Sequence, residues 1–146
     1  MTGKPRLPGL TLADADWIVQ EALRAGAERG FPPLAVAVLD VAGEVIVLRR
    51  GDGGMPMSSR MAMAKARTAL AALKPSGQLE QLPPGIIDGF QHLRGGDFIA
   101  RAGGVLVLDG DVILGAAGAS GAASDQDEEA VLTAVDRWHA QRSGTA

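Results

Sequence analysis

Two hydrophobic rhythms divide this chain. Behind Thr11, the residues Ala15, Ile18, Val19, Ala22 and Leu23 recur at helical spacing, the stripe of an amphipathic helix. Thr11 with Asp14 resembles a capping box, and Gly30 stands before Pro32-Pro33. The pattern predicts a helix over about 12–29. Leu34 to Asp40 is then nearly all apolar, as in a short strand covered on both faces. Ala42-Gly43 turns the chain and Glu44 to Arg49 returns, giving strands at about 34–40 and 44–50. After a Gly51–Gly54 loop and Pro56, Ser58 or Ser59 is expected to cap a helix reaching about Lys74. Its Met61, Met63, Ala64, Ala66, Ala69, Ala71 and Ala72 are small or flexible on nearly every side. Such a helix is buried on more than one face. That predicts a homo-oligomer, with Met61, Met63 and Ala66 as candidate contacts.

Residues 75–97 are the least regular, with Pro75, Gly77, Pro83-Pro84-Gly85 and Gly95-Gly96. A short helix is predicted at about Pro84–Gln91. A segment this irregular inside a compact domain is usually functional or mobile. Three short strands are predicted next, at about 98–101, 104–108 and 112–118. The last two are joined by Asp109-Gly110, a strong tight-hairpin signal. Gly115, Gly118 and Gly121 leave room for a backbone or a ligand to approach. Ser124 is expected to cap a final helix over about Asp125–Gln141 that buries Val131, Leu132, Val135 and Trp138. No helix separates consecutive strands in either group. That is the signature of an α+β fold, an antiparallel sheet with helices packed on it.

Composition narrows the class. At 146 residues the chain reads as one domain over 10–142, with loose ends at 1–9 and 143–146. Aromatics make up 3% of the chain, so the core must be built from Ala, Val, Leu, Ile and Met. A net charge of −3 with dispersed basic residues argues against nucleic acid or an anionic membrane as partner. The absence of Cys excludes disulfides, thiolate catalysis and Cys-type zinc sites. No apolar run approaches the ~20 residues of a membrane span. The basic N-terminal stretch has no apolar run behind it, unlike a secretory signal. A cytoplasmic location is expected.

The segments LTLADA at 10–15, AVAVLDVAGEVIVLRRGDG at 35–53, AMAKARTA at 62–69 and GGVLVLDGDVILGAAGASGAASDQDEE at 103–129 together resemble the GlcG/HbpS family. This is also called the haem-degrading-domain family and forms the C-terminal part of PduO proteins. The resemblance covers most of residues 10–139. It implies a profilin-like fold, a five-stranded antiparallel sheet with helices on both faces, in oligomers built from dimers. It further implies a small ligand, either haem or another acidic organic molecule.

Several residues could carry chemistry. Lys65 and Thr68 share a face of the second helix while Arg67 points elsewhere. Arg67 could hold a carboxylate or propionate bidentately, with Lys65 as a point charge. Alternatively these residues form structural salt bridges across a subunit contact, for instance to Asp127 or Glu128. Asp127 and Glu128 suit the positive start of the last helix. One of them facing the Gly115–Gly121 concavity would be a general acid or base. The Gly-rich strand exit, GAAGASGAAS, lacks the Gly-Lys-Ser/Thr of a phosphate loop. It reads first as close packing of the strand end, with Gly104 and Ser120 as ligand-side candidates. His92 is either a loop histidine or a haem ligand and proton shuttle. His139, beside Trp138, reads as a packing or surface residue. The methionines at 55, 57, 61 and 63 are flexible filler or thioether donors. No His cluster predicts a metal site.

The first functional expectation is an oligomeric small-ligand-binding protein. The second is a cofactor-independent enzyme acting on a small organic acid or an aromatic-derived metabolite, using His92, Asp127 or Glu128 for proton transfer. A ligand-free oligomerisation module is the third.

Overall fold

The computed structural model describes residues 3–144, so the expected loose ends at 1–2 and 145–146 lie outside the described residues. The elements in chain order are α1 (Leu12–Glu28), β1 (Ala35–Leu39), β2 (Val45–Arg50), α2 (Ser58–Ala72), a 3-10 turn (Ser76–Leu79), α3 (Pro84–Leu93), β3 (Gly104–Asp109), β4 (Val112–Ser120) and α4 (Ser124–Arg142). The four strands form one antiparallel sheet in the order β2-β1-β4-β3. The α+β class and the helices on both faces therefore hold. The sheet has four strands among the described residues, not five.

The missing strand has a physical explanation. The backbone of 98–101 bonds to side chains instead of to a neighbouring strand. Ile99 N–H donates to Thr68 Oγ1 at 2.9 Å, Gln91 Nε2 donates to the Phe98 carbonyl at 3.4 Å, and Ser76 Oγ donates to the Arg101 carbonyl at 2.6 Å. The segment is thereby tied to α2, α3 and the 3-10 turn.

Strand alternation sorts the core into two layers. Val36, Val38, Val105, Val107, Ala117 and Ala119 face α1 and α4, packing on Ile18, Val19, Val131 and Trp138. On the other face Ala35, Ala37, Leu39 and Ala116 meet Ala62 and Ala66 of α2. This second face is almost all small residues, so α2 lies very close to the sheet. A Cβ on Gly104 would collide with the Lys65 carbonyl, and one on Gly118 with the Ala62 carbonyl.

The apolar circumference of α2 is largely used within the chain. Ala62 and Ala66 face the sheet, Met63 and Leu70 pack at its margin with Leu48, and Ala72 joins a third cluster of Leu79, Phe98 and Ala100. Ala66 is wholly buried and unavailable as an intersubunit contact; Met61 and Met63 are partly exposed.

Helix ends follow the sequence in one case and depart from it in two. Thr11 and Asp14 form the expected reciprocal capping box, both bonds at 3.0 Å. Neither Ser58 nor Ser59 caps α2; its cap position is Met57, and Ser58 Oγ donates back to the Met55 carbonyl at 2.6 Å. Ser124 is the first residue of α4 rather than its cap. The cap is Ala123, whose N–H is accepted by Gln126 Oε1 at 3.1 Å. Leu132, expected inside, is 40% exposed.

Asp14 also accepts from the Trp138 indole at 3.2 Å, tying α1 to α4. Burial opposes its ionisation. The Thr11 backbone and hydroxyl, Trp138 and the Arg142 charge together outweigh this and hold the carboxyl below its ordinary value. The unfolded chain therefore protonates first as pH falls. Asp14's stabilisation is complete above about pH 4 and is lost as pH drops through the lower folded value. Asp14→Ala should cost about 1–2 kcal/mol at neutral pH. In urea titrations the deficit should shrink below pH 4; a deficit independent of pH would contradict the account.

Candidate functional site

The site lies where the small-residue face of the sheet ends. Ser120, the last residue of β4, lies on the α2 side together with Ala116 and Gly118, by strand alternation. Beyond it the chain passes Gly121 and enters α4, which packs on the opposite face. Lys65 bridges the two layers. It leaves α2, passes Gly103, and donates to Asp127 Oδ2 of α4 at 2.9 Å. A Cβ at Gly103 would sit 2.8 Å from Lys65 Cδ and 3.0 Å from its Nζ, so only glycine admits this path.

The ion pair is almost fully buried, at 2% and 1% side-chain exposure. Asp127 Oδ1 accepts from Ala122 N–H at 3.0 Å, so both carboxylate oxygens have partners. Burial raises the Asp127 carboxyl above its ordinary value, although Lys65 and the Ala122 N–H pull the other way. The native state thus holds this proton more tightly than the unfolded chain does. The group's contribution to stability declines as pH rises from about 4 through the folded value.

Two adjacent clefts lie on this side of the sheet, and the pair lines one of them. The first, about 550 Å³, runs along α2 under the 95–99 segment and is lined by Met57, Arg60, Met61, Met63, Ala64, Arg67, Gly95, Gly96, Asp97 and Ile99. The second, about 400 Å³, is lined by Met55, Met61, Lys65, Ile99, Arg101, Ser120, Asp127 and the 121–124 backbone. Met61 and Ile99 line both. The combined wall mixes apolar side chains with four basic residues, Arg60, Lys65, Arg67 and Arg101, and two acidic ones, Asp97 and Asp127. The cleft volumes are those of a small-molecule site.

The structure brings together Lys65, Ser120 and Asp127. Arg67 is in the first cleft. Its Nε donates to the Gly43 carbonyl at 2.9 Å and lies 3.6 Å from Asp97 Oδ2. Thr68 is buried and anchors the 98–101 segment, its hydroxyl donating to the Ala64 carbonyl and accepting from Ile99 N–H. Gly104 lies beneath α2, its N–H donating to Ser76 Oγ at 2.9 Å. His92 is exposed on α3, Glu128 is partly exposed on α4, and neither lines the two clefts. His139 is exposed and stacks edge-on to Trp138, as a packing residue does. Sequence reasoning missed Arg60, Asp97, Ile99 and Arg101 as lining residues. The mixed acidic and basic pattern of 88–102 was the one signal for the last three.

Among the described residues no group of three or more His, Cys, Asp or Glu could hold a metal ion. Haem fits the residue types present. Methionine and isoleucine side chains suit a porphyrin face, arginines suit propionates, and Met61 offers a thioether.

Comparison with known proteins bears on the fold and the family. The chain is similar to Klebsiella pneumoniae protein ORFY at 23% identity and TM-score 0.85, covering 96% of this chain and 97% of that one. At that identity the likeness is one of fold. It is similar to PduOC, solved as a haem complex, at 25% identity and TM-score 0.81, covering 88% and 94%. It is also similar to a double mutant of Streptomyces reticuli HbpS, at 27% identity and TM-score 0.79, covering 92% and 90%. A search of curated proteins gives no match. The model of the family described as haem-degrading protein HbpS-like matches residues 10–136, taking in all the strands and both clefts, and the chain belongs to that family.

Proposed function

We propose that this protein is a homo-oligomeric binding protein for a small acidic organic molecule, haem or a ligand of similar character. The observation that carries the reading is the pair of adjacent clefts that share Met61 and Ile99, partly apolar in their walls, with Arg60, Arg67 and Arg101 against Asp97 once Asp127 is paired with Lys65. Membership of a haem-degrading family and the haem complex of PduOC support haem as the first ligand to test. In this reading Arg67 holds an acid group in the first cleft, while Lys65 and Thr68 keep α2 and the 98–101 segment in place. His92 has no contact with the ligand.

Titration of wild type and Arg67→Ala with haem and with small organic acids tests the clamp. A charge-assisted bond in a partly shielded cleft predicts affinity lower by about ten- to a hundredfold. Unchanged affinity would assign Arg67 to its bond with Gly43 alone.

Self-association has separate support. Leu73, Ile86, Phe90 and Leu93 are exposed at 65%, 47%, 39% and 80%, a concentration of apolar surface around α3. Light scattering should give a mass at least twice the 15.0 kDa of the chain; a monomer at micromolar concentration would overturn this part.

One observation favours an enzyme as the second reading. The Lys65–Asp127 pair lines the second cleft, and burial raises the proton affinity of the Asp127 carboxyl. A proton could pass between this pair and a bound acid. Turnover of small acids that disappears in Asp127→Asn, with the fold retained, would support it. Binding without turnover would favour the first reading.

A further inference from the structure

We infer that the inner end of the second cleft is a carboxylate subsite built from the hydroxyls of Ser120 and Ser124, the Ser124 backbone N–H and the Arg101 guanidinium. The inference rests on the acidic-ligand reading above and adds a second place, apart from Arg67, where an acid group is received.

Ser120 is the key observation. It is only 2% exposed, yet its hydroxyl has no hydrogen-bond partner among the described residues. No sealed side-chain polar atom among those residues goes unpaired. The Ser120 oxygen is therefore not sealed, and the cleft its residue lines is where it opens. Hydroxyls this deeply placed normally have a partner. An acceptor arriving through the cleft would supply one.

The start of α4 is the second element. Nearby donors are already used: Ala122 N–H by Asp127, Ala123 N–H by Gln126, and Asp127 N–H by the Ala123 carbonyl. Ser124, which lines the cleft, keeps its N–H unpaired in the helix's first turn, where the helix dipole favours negative charge. Its hydroxyl also has no partner among the described residues. Arg101, 63% exposed and 3.6 Å from Glu80, supplies a cation at the mouth.

Charge selects the class of anion. Asp127 is compensated by Lys65, but Asp125 remains in the first turn of α4. A single negative charge is tolerated there, whereas a phosphate dianion is opposed. The ligand group is a monocarboxylate, from either a free small acid or a haem propionate.

Amide spectra of the 15N-labelled protein titrated with benzoate, with benzyl alcohol as the neutral control, test the subsite. Benzoate should shift the Ser124 amide and its neighbours saturably, and benzyl alcohol should not. Ser120→Ala should weaken benzoate about tenfold, the loss of one hydrogen bond to a charged group. Absence of a saturable shift, or equal affinity in the variant, would overturn the subsite.

Haem and its dimethyl ester separate the two sources. If haem binds more tightly than the ester, and Ser120→Ala removes the difference, the carboxylate is a propionate. If benzoate saturates while haem leaves the spectrum unchanged, the subsite stands for a free acid and haem is excluded. If haem, ester and variant all bind alike, the cleft reading survives and the subsite does not.

Discussion

Asp127→Ala should lower the stability of the protein by about 3–5 kcal/mol at neutral pH, the cost of leaving one member of a buried ion pair alone. The substitution strands the Lys65 ammonium at 2% exposure and removes the acceptor of the Ala122 N–H. Lys65 cannot move easily to water, because its stem is threaded past Gly103. The intact pair contributes far less than its removal costs, since both charges were desolvated to make it. Lys65→Met combined with Asp127→Asn should therefore regain most of the loss. Urea denaturation of the three variants measures this. A single-variant loss below about 1 kcal/mol would mean that the pair is solvated and the layers are not joined there.

Gly104→Ala should be as damaging, by about 3 kcal/mol or more, through overpacking. The added methyl would collide with the Lys65 carbonyl, which belongs to helix backbone and cannot rotate away. To accommodate it α2 must lift from β3. That would disturb Lys65 above it and the Ser76 bond to the Gly104 N–H below. The variant should lose midpoint in denaturation and lose ligand affinity with it. A neutral result would contradict the close approach of α2 to the sheet. Gly85 is the control, because nothing lies within 4 Å of a Cβ built there.

The strands were legible because short apolar runs, Ala42-Gly43 and Asp109-Gly110 are local signals. Each acts within a few residues. Asp40 Oδ1 accepts from the N–H groups of Ala42 and Glu44, for example, which fixes the first turn. The 98–101 segment was not legible. Phe98, Ile99 and Ala100 read as a strand, but the backbone partners are the side chains of Thr68, Ser76 and Gln91, all distant in sequence. The Ser124 cap failed for a related reason. Gln126 and Asp127 took the N–H groups around the helix start.

The site was legible by residue type more than by arrangement. Lys65 and Asp127 stand out as charges among small residues, but the sequence suggests pairing across a subunit contact, whereas the pair is buried within one chain. Their path past Gly103 depends on two layers meeting at a strand end, which no local pattern encodes. His92 stood out because histidines are scarce, and scarcity says nothing about position. Arg67 was separated correctly from Lys65 and Thr68 by helical spacing. Its partners Gly43 and Asp97 lie in other parts of the sequence.

Haem titration of wild type, Met61→Glu and His92→Ala, followed by the Soret band, tests most directly whether the two adjacent clefts bind the ligand. Met61 lines both clefts, so a carboxylate there places like charge and a polar group against the ligand. Saturable binding should be seen in wild type and in His92→Ala, and should weaken at least about tenfold in Met61→Glu. Saturable binding equal in wild type and Met61→Glu, or abolished by His92→Ala, would contradict the placement of the ligand in the clefts.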